Sequence, residues 1–319
     1  MLRDFKKTEA YPFAQGSFGE VWKGEVDGTQ VAIKRARIFT SDSNIEKVLR
    51  KIRREAIIWT QLCDHPNVLP FYGIYHDFAP SSYCLVSPFM PSGSLHQYMN
   101  NTSHPDQHKL ALDVTHGMNY LHKLLIIHGD LKGDNILITN DHRAVIADFG
   151  LSFVMGVTTF TTSSSPHKGG TLRWQAPEVL NASPNSLLAD VYSLTCVYFE
   201  IFNRTIPWEN IKDVAIIVNV SVKKEHPGHP RYLVSTAWHA ELWWDLMTRC
   251  WAYDPSHRPT LPEIMADLCV MQDMPMMMET QSRWDKSTTI RLRNPLIRGE
   301  LVVPSGLPRF LNLEGLSDG

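Results

Sequence analysis

The pattern of hydrophobic and polar positions predicts short strands that alternate with two long helices. Apolar residues recur at helical spacing across residues 44–62, and a second, mostly helical stretch covers residues 95–125. Short apolar runs bounded by turn residues indicate strands; the runs are residues 31–34, 83–86, 126–127, 136–138 and 144–147. Glycine and proline residues between these segments predict tight loops.

A polar cluster interrupts the apolar pattern between the last two isoleucine-rich runs. Asp130, Lys132 and Asn135 lie there, with Gly129 and Gly133 marking a tight loop. Burying an acid, a cation and an amide costs free energy unless they have partners or a task. Phosphoryl transfer needs an acid that accepts a proton, a cation beside the moving group and a ligand for a divalent ion. The cluster therefore indicates phosphoryl transfer, although a chance strand–loop–strand is also compatible with it.

Two segments near the N-terminus suit a phosphate ligand. Gly16 and Gly19 lie in a hairpin between strand-like flanks, where the missing Cβ atoms would let the backbone approach a phosphate. Lys34 shares a strand face with Ala32 beneath that hairpin, and burying its charge is costly unless an anion binds it. Taken alone, the hairpin is also compatible with an ordinary turn, and Lys34 with a solvated strand lysine.

Two acidic residues add to the candidate chemistry. Glu55 lies next to the apolar stripe of the first helix and could turn inward to pair with Lys34. An exposed glutamate that balances two neighbouring arginines is the alternative interpretation. Asp148 ends a predicted strand and is followed by an aromatic residue and a glycine, a context that suits a metal ligand.

Composition narrows the classes of partner. The 319 residues are 43% hydrophobic and 20% charged, which is ordinary for a globular protein and long enough for two packed lobes. A formal net charge of -2 gives no electrostatic case for nucleic acid or for an acidic membrane surface. The sequence shows no signal peptide and no apolar run that could span a bilayer, and its five cysteines look like reduced core thiols. We therefore expect a cytoplasmic protein, with a nuclear location also compatible.

Six motifs occur along the chain in one order. They are the hairpin at 14–21, Val-Ala-Ile-Lys at 31–34, the loop at 128–135, Asp-Phe-Gly at 148–150, Ala-Pro-Glu at 176–178 and Asp-Pro-Ser-His-Arg-Pro at 254–259. This order resembles the eukaryotic-type protein kinases, in particular the tyrosine-kinase-like group of serine/threonine kinases. The resemblance covers roughly residues 10–272.

The resemblance implies an α+β, bilobal protein-kinase fold. A small lobe of antiparallel β-sheet, with five strands and one helix, would be hinged to a larger, mainly helical lobe. The expected divisions are a lead-in at 1–10, the small lobe at 11–87, the hinge at 88–91, the large lobe at 92–272 and a mostly disordered tail at 273–319.

The resemblance also implies roles for individual residues. Transfer of the γ-phosphoryl group of Mg-ATP to a protein hydroxyl would use Asp130, Lys132 and Thr171 as catalytic residues. The cofactors would be ATP and Mg²⁺, with Asn135 and Asp148 as metal ligands. The residues expected to bind the nucleotide are Ala14, Gly16, Gly19, Val21, Ala32, Lys34, Glu55, Ser87, Met90 and Leu137. The implied partner is a protein substrate; a regulatory partner is compatible with the sequence but not identified by it.

Two sets of long-range contacts are implied as well. A column of stacked side chains would join the lobes, and a buried ion pair would form in the large lobe. The column is Trp59, Phe71, His128 and Phe149, and the ion pair is Glu178 with Arg258.

Gly129 departs from the family pattern, because most regulated kinases have arginine beside the catalytic acid. In those enzymes a phosphate on the activation segment pairs with that arginine. We therefore expect activity without phosphorylation of residues 158–165, which lie in a Thr- and Ser-rich loop at 151–170. Arg173 or Lys168 could take the place of the missing cation, which would reverse this expectation.

Two other functions remain open. A pseudokinase scaffold that binds ATP or a partner without turnover is supported only by Ala14 and Gly129. A small-molecule phosphotransferase is disfavoured by the Ala-Pro-Glu motif and by Arg258. Lys132 and Thr171 favour serine and threonine as acceptors, since a tyrosine kinase would be expected to carry arginine in the loop and a nearby proline.

Overall fold

A six-stranded antiparallel sheet forms the N-terminal part of the computed structural model. The structure describes residues 6–7, 11–16, 19–26, 28–35, 42–62, 65–77, 82–155, 171–233, 239–271 and 284. The strands of the sheet are β1 (Lys6–Lys7), β2 (Ala14–Gly16), β3 (Gly19–Val26), β4 (Thr29–Arg35), β5 (Gly73–Asp77) and β6 (Ser82–Pro88). They pair in the order β1-β3-β4-β6-β5, and β2 also pairs with β3.

Strand β1 is a sixth strand, whereas the family resemblance implies five. Lys6 and Lys7 pair with Glu25 and Gly24, so part of the predicted lead-in at 1–10 belongs to the sheet. Two lysines give no alternation of apolar and polar positions. Strand pairing is made by main-chain hydrogen bonds, which leave no trace in the side-chain pattern.

Strand β4 separates its two faces as its alternating pattern predicts. Val31 and Ile33 are buried, and they pack against apolar residues of β3 and β6. Ala32 and Lys34 lie on the opposite face and are only partly buried. Lys34 is opposite Val21 of β3, close to the hairpin that β2 and β3 form.

Helix α1 (Asp42–Gln61) begins and ends within two residues of the predicted helix at 44–62. Ile52, Ala56 and Trp59 recur at helical spacing and are buried in the core of the molecule. The indole of Trp59 donates a hydrogen bond to the carbonyl oxygen of Leu69 at 2.6 Å. The apolar stripe therefore sets which face of α1 turns inward.

Helices build the C-terminal part around one helix that is buried on nearly every side. They are α2 (Leu95–Asn101), α3 (Gln107–Lys123), α4 (Pro177–Leu180), α5 (Leu187–Asn203), α6 (Asp213–Ile217), α7 (Ala240–Cys250) and α8 (Leu261–Met271). Most residues of α5 are buried, and this helix contacts both α3 and α7. A helix that is apolar all round belongs in a core, so α5 is the support for the loops of the site.

The predicted helical stretch at 95–125 is divided into α2 and α3. Pro105 disfavours helical backbone at the residue before it, and Asp106 caps α3 by accepting the Lys109 N–H at 3.0 Å. Four short strands follow α3; they are β7 (Ile126–Ile127), β8 (Ile136–Ile138), β9 (Ala144–Ile146) and β10 (Phe153–Val154). Strand β7 pairs with β10 and β8 with β9, so the polar cluster lies between two buried strands, as predicted.

The loop at residues 65–70 fastens the end of α1 to the C-terminal part of the chain. The carbonyl oxygen of Asn67 accepts the Ile146 N–H at 2.9 Å, and the carbonyl oxygen of Ile146 accepts the Leu69 N–H at 2.9 Å. Gly117 of α3 permits this approach, because a Cβ there would lie 2.6 Å from the Asn67 carbonyl oxygen. The loop is therefore held main chain to main chain.

None of the helices in the described ranges is long and apolar enough to cross a bilayer. Most of the predicted Thr- and Ser-rich loop, residues 156–170, lies outside the described residues. The predicted tail also lies outside them, apart from Trp284.

Candidate active site

Asp130, in the loop between β7 and β8, has one carboxylate oxygen held by neighbours and one oxygen without a partner. Its Oδ2 accepts hydrogen bonds from Lys132 Nζ and from Asn135 Nδ2, both at 3.1 Å. Its Oδ1 is buried and has no hydrogen-bond partner within the described part of the chain. A buried acceptor without a partner costs free energy. This oxygen is placed to accept a proton from the hydroxyl group of a bound molecule.

Lys132 joins this loop to the segment that precedes the Ala-Pro-Glu motif. Its ammonium donates to Thr171 Oγ1 at 3.1 Å as well as to Asp130. Thr171 lies directly before a short helical turn at Leu172–Trp174. The fold therefore brings the three predicted catalytic residues together, although 39 positions separate Lys132 from Thr171.

A buried carboxylate of α5 orients the main chain of the loop. Asp190 accepts the N–H of His128 at 2.8 Å and the N–H of Gly129 at 2.9 Å. Gly129 has a φ of 75°, a left-handed conformation that glycine adopts without strain. The resemblance to the kinases includes Asp190 as a landmark of the large lobe, but the sequence does not reveal these contacts, because both partners are main-chain groups more than 60 positions away.

Lys34 binds two carboxylates that come from distant segments. Its Nζ lies 2.7 Å from Glu55 Oε1 and 2.6 Å from Asp148 Oδ1. Burial acts to lower the pKa of Lys34, but the two carboxylates outweigh it and raise the pKa above its ordinary value. Burial acts to raise the pKa of Asp148, and Lys34 outweighs that effect and lowers it. The predicted pairing with Glu55 is confirmed, and the alternative of an exposed glutamate is wrong, since Glu55 is only 6% exposed.

Asn135 and Asp148, the predicted metal ligands, lie on segments that are hydrogen-bonded to each other. The N–H of Ala147 donates to the carbonyl oxygen of Asn135 at 2.9 Å. Asp148 has a φ of 62°, an uncommon conformation for a residue other than glycine. The side-chain nitrogen of Asn135 is directed at Asp130, which leaves its amide oxygen for coordination. An amide oxygen and a carboxylate are ligands that suit a hard divalent cation.

The residues predicted to bind a nucleotide lie on the hairpin, the strands beside it and the hinge. Across the sheet, the opposed pairs are Ala14–Val21, Gly16–Gly19, Val21–Lys34 and Ala32–Ser87. The carbonyl oxygen of Met90 accepts the Gly93 N–H at 3.1 Å, and that of Gly93 accepts the Ile138 N–H at 2.9 Å, next to Leu137. Val21, Ala32 and Leu137 are partly exposed, and Ala32 and Leu137 each lie between two buried residues, as side chains that line a cleft would.

A column of aromatic side chains connects α1 to the loop around Asp130. The ring centroids of Trp59 and Phe71 are 5.0 Å apart, those of Trp59 and Phe149 are 5.7 Å apart, and those of His128 and Phe149 are 5.7 Å apart. All four side chains are buried, and the predicted column is confirmed. His128 also accepts the Asp130 N–H on Nδ1 at 3.3 Å, so the column ends at the candidate base.

Comparison with known proteins places this arrangement in one family. The family described as protein tyrosine and serine/threonine kinase matches residues 10–268. The chain belongs to this kinase family. Membership implies that ATP and a divalent metal ion act at the site.

Curated relatives of this kinase are similar to it along most of its length. The probable serine/threonine-protein kinase drkC of Dictyostelium discoideum is 35% identical over 269 residues, which are 81% of this chain and 34% of that protein. The serine/threonine/tyrosine-protein kinase HT1 of Arabidopsis thaliana is 31% identical over 277 residues, which are 83% of this chain and 67% of HT1. The serine/threonine-protein kinase STY46 of the same plant is 33% identical over 269 residues, 81% and 43% of the two chains. The chain thus spans about a third to two thirds of these relatives.

Arg54 links helix α1 to the beginning of the activation segment of this kinase. Its guanidinium donates to the carbonyl oxygen of Ser152 at 2.6 Å and lies 5.9 Å from the ring centroid of Phe153. Ser152 is fully buried and donates its hydroxyl to the carbonyl oxygen of His128 at 3.0 Å. From the sequence, Arg54 is recognisable only as a charge that Glu55 could balance, because this partner is 98 positions away.

Glu200 of α5 is another residue of the kinase site whose contacts the sequence does not reveal. Its Oε1 accepts the Gly133 N–H at 2.8 Å and the Trp174 indole N–H at 2.6 Å. Gly133 belongs to the catalytic loop and Trp174 to the segment that follows Thr171. Burial raises the pKa of Glu200 from 4.5 to about 8, and the two hydrogen bonds oppose that rise only in part.

Two arginines in the C-terminal part of the kinase are bound to partners. Arg258 donates to both carboxylate oxygens of Glu178, at 2.7 and 2.8 Å, which confirms the predicted ion pair. Arg173 donates to the carbonyl oxygens of Trp208 and Ile211, among others. Because its guanidinium is bound there, we do not expect Arg173 to supply the cation that Gly129 lacks.

Proposed function

We propose that this kinase domain transfers the γ-phosphoryl group of Mg-ATP to serine and threonine hydroxyls of proteins. The observation that carries the proposal is the buried Oδ1 of Asp130, which has no partner among the described residues and lies beside Lys132 and Thr171. A domain that only binds a nucleotide would gain stability by satisfying this oxygen. Family membership and the names of the relatives support the same activity.

Asp130 would act as the general base in this reaction. Lys132 and Asn135 hold its Oδ2, so the carboxylate keeps one orientation and Oδ1 presents its lone pairs to the acceptor hydroxyl. The ammonium of Lys132, held by Asp130 and Thr171, would stabilise the charge that develops on the transferred group.

Asn135, Asp148 and Lys34 would hold the metal and the phosphates. Within the described residues, no group of three or more His, Cys, Asp or Glu side chains is arranged to bind a metal. An amide oxygen and one carboxylate nevertheless fit Mg²⁺, which takes few protein ligands and completes its shell with phosphate oxygens and water. When bound, Mg²⁺ neutralises charge on the phosphates. Lys34 stays cationic between Glu55 and Asp148 and would bind the α and β phosphates.

The bond between Lys132 and Thr171 supports serine and threonine as acceptors. Two of the relatives above are named serine/threonine kinases, and one is named a serine/threonine/tyrosine kinase. We expect phosphoserine and phosphothreonine in hydrolysates of the modified substrate. Chiefly phosphotyrosine would contradict this assignment of the acceptor.

A radiolabelled transfer assay with generic protein substrates tests the proposed function. The purified chain should label protein in the presence of Mg-ATP, and Asp130→Asn should not. Nucleotide binding without transfer to any substrate would favour a pseudokinase scaffold. Transfer confined to small molecules would favour the phosphotransferase alternative.

We also propose that transfer does not require phosphate on residues 158–165, which lie outside the described residues. Gly129 offers no cation, and Arg173 is bound elsewhere. The start of the activation segment is held by Arg54 and by the pairing of β7 with β10. Alanine at every Thr and Ser of 158–165 should leave transfer to an external substrate intact. A hundredfold loss that acidic replacements rescue would overturn this proposal.

A further inference from the structure

Trp284 is the part of the C-terminal tail that the structure places, and it lies half-buried against the body of the kinase. Its indole N–H donates to the carbonyl oxygen of His65 at 3.0 Å, across 219 positions of sequence. From the sequence we expect a mostly disordered tail at 273–319. A half-buried, hydrogen-bonded tryptophan in that tail therefore requires an explanation.

Trp284 lies at the junction between the two lobes, on the side that carries the turn between β8 and β9. We call this side the rear of the hinge. Trp284 lines a cleft of about 210 Å³ together with hinge residues and the turn between β8 and β9. The hinge residues are Phe89, Met90 and Pro91, and the turn residues are Thr139, Asn140 and Asp141. His65 begins the loop at 65–70, which is the second connection between the lobes. One indole thus hydrogen-bonds to one connection and shares a cleft with the other.

The residue that accepts the indole hydrogen bond, His65, is itself firmly positioned. The ring of His65 stacks on Tyr120, with centroids 4.7 Å apart, and its Nδ1 accepts the Asn67 N–H at 3.1 Å. The carbonyl oxygen of His65 already accepts the Val68 N–H at 3.2 Å, and its second lone pair is available for Trp284. Tryptophan combines a large apolar face with one donor, which suits a cleft with an apolar wall and a single carbonyl oxygen.

We propose that Trp284 docks the C-terminal segment of this chain onto the rear of the hinge and restrains movement between the lobes. The occupant is intramolecular, since the contact is formed within one chain. The inference goes beyond the proposed function and does not depend on phosphoryl transfer. Because Met90 lies both in the hinge and at the docking site, nucleotide binding and docking should be coupled, and such coupling is reciprocal.

Hydrogen exchange and limited proteolysis of the full chain test the docking directly. In Trp284→Ala, amides in peptides covering residues 65–72 and 88–93 should exchange at least tenfold faster than in the wild type. Trypsin cleaves after Arg283 and Lys286, which flank Trp284 in the sequence, and cleavage there should accelerate at least fivefold. Cleavage after Arg298 serves as an internal reference, and Val270→Ala, at an apolar side chain that is 77% exposed, is the matched control variant.

Three outcomes would overturn the proposal. The first is exchange and cleavage within twofold of the wild type in Trp284→Ala. The second is faster exchange in α5 in both Trp284→Ala and Trp284→Phe, which would show general loss of the fold and not loss of docking. Trp284→Phe keeps an aromatic ring but loses the donor, so the proposal expects it to give the local effect alone. The third is a dependence of the wild-type rates on protein concentration, which would mean that a second copy supplies the indole.

Discussion

Replacing Glu200 by glutamine should change how the stability of this kinase depends on pH. Glu200 is buried in α5 and its pKa is raised from 4.5 to about 8, chiefly by burial. The Trp174 and Gly133 hydrogen bonds oppose the rise, Asp134 adds to it and Lys132 opposes it. Glutamine keeps the size and the acceptor oxygen of the side chain but cannot ionise, so the two donors remain satisfied in Glu200→Gln.

The direction of the effect follows from proton counting. Between pH 4.5 and about 8 the folded protein keeps the proton on Glu200, whereas the unfolded chain releases it. The folded state then binds more protons, and the free energy of unfolding falls as pH rises through this window. Within this window, a rise of one pH unit lowers the free energy of unfolding by about 1.4 kcal/mol. The free energy of unfolding of the wild type should therefore fall by about 3 kcal/mol between pH 5.5 and 8 because of Glu200. Above pH 8 the contribution levels off.

Urea unfolding of both proteins at half-unit steps from pH 5.5 to 8.5 measures the effect. The free energy of unfolding of Glu200→Gln minus that of the wild type should increase by about 3 kcal/mol across the range. Glu241→Gln, at an exposed position on α7, reports the effect of removing a surface carboxyl group. Parallel pH profiles for the wild type and Glu200→Gln would refute the reasoning, since they would mean that Glu200 ionises alike in both states.

Three further predictions concern the catalytic loop, helix α1 and the buried ion pair. Asp130→Asn should abolish transfer with nucleotide affinity unchanged, whereas Asp148→Asn should also weaken metal-dependent nucleotide binding in calorimetric titration. Arg54→Gln should lower kcat about tenfold, or about 1.4 kcal/mol, with less effect on KM, because the contact between α1 and the activation segment is lost. Arg258→Met should cost about 3–5 kcal/mol of unfolding free energy, since it leaves the Glu178 carboxylate without its partner, and urea unfolding measures it.

Each of these predictions has an outcome that contradicts it. Near-normal turnover in Asp130→Asn would rule out the assigned base. For Arg54, equal activity of Arg54→Gln and Arg54→Lys at the wild-type level would show that the Ser152 contact has no positioning role. For the ion pair, a loss below about 1 kcal/mol would mean that Glu178 reaches solvent when Arg258 is replaced.

Contacts within short motifs were predictable from the sequence, and contacts made by the main chain were not. Asp130, Lys132 and Asn135 stand within six positions and carry the chemistry themselves, so their grouping is visible in the sequence. Lys34 and Glu55 could be paired because alternation and helical spacing fix which way each side chain points.

The contacts that Asp190 and Glu200 make with the catalytic loop could not be predicted in this way. Each residue lies in an apolar helix and binds N–H groups of a distant loop, and every residue except proline has such a group. Strand β1 and the docking of Trp284 share this property, because the partner in each case is main chain. Sequence patterns report side chains, and these parts of the fold depend on backbone geometry that forms only when the lobes have packed.

Because the loop at residues 65–70 is held to the C-terminal part of the chain, helix α1 can tilt only about its C-terminal end. With a rise of about 1.5 Å per residue, Glu55 lies roughly 10 Å from that end, and the start of the helix lies roughly 30 Å from it. A tilt of about 10° would move Glu55 by roughly 2 Å and the start of the helix by roughly 5 Å. Two ångströms is enough to break the 2.7 Å bond to Lys34, so a small push far from the nucleotide cleft could disconnect the lysine.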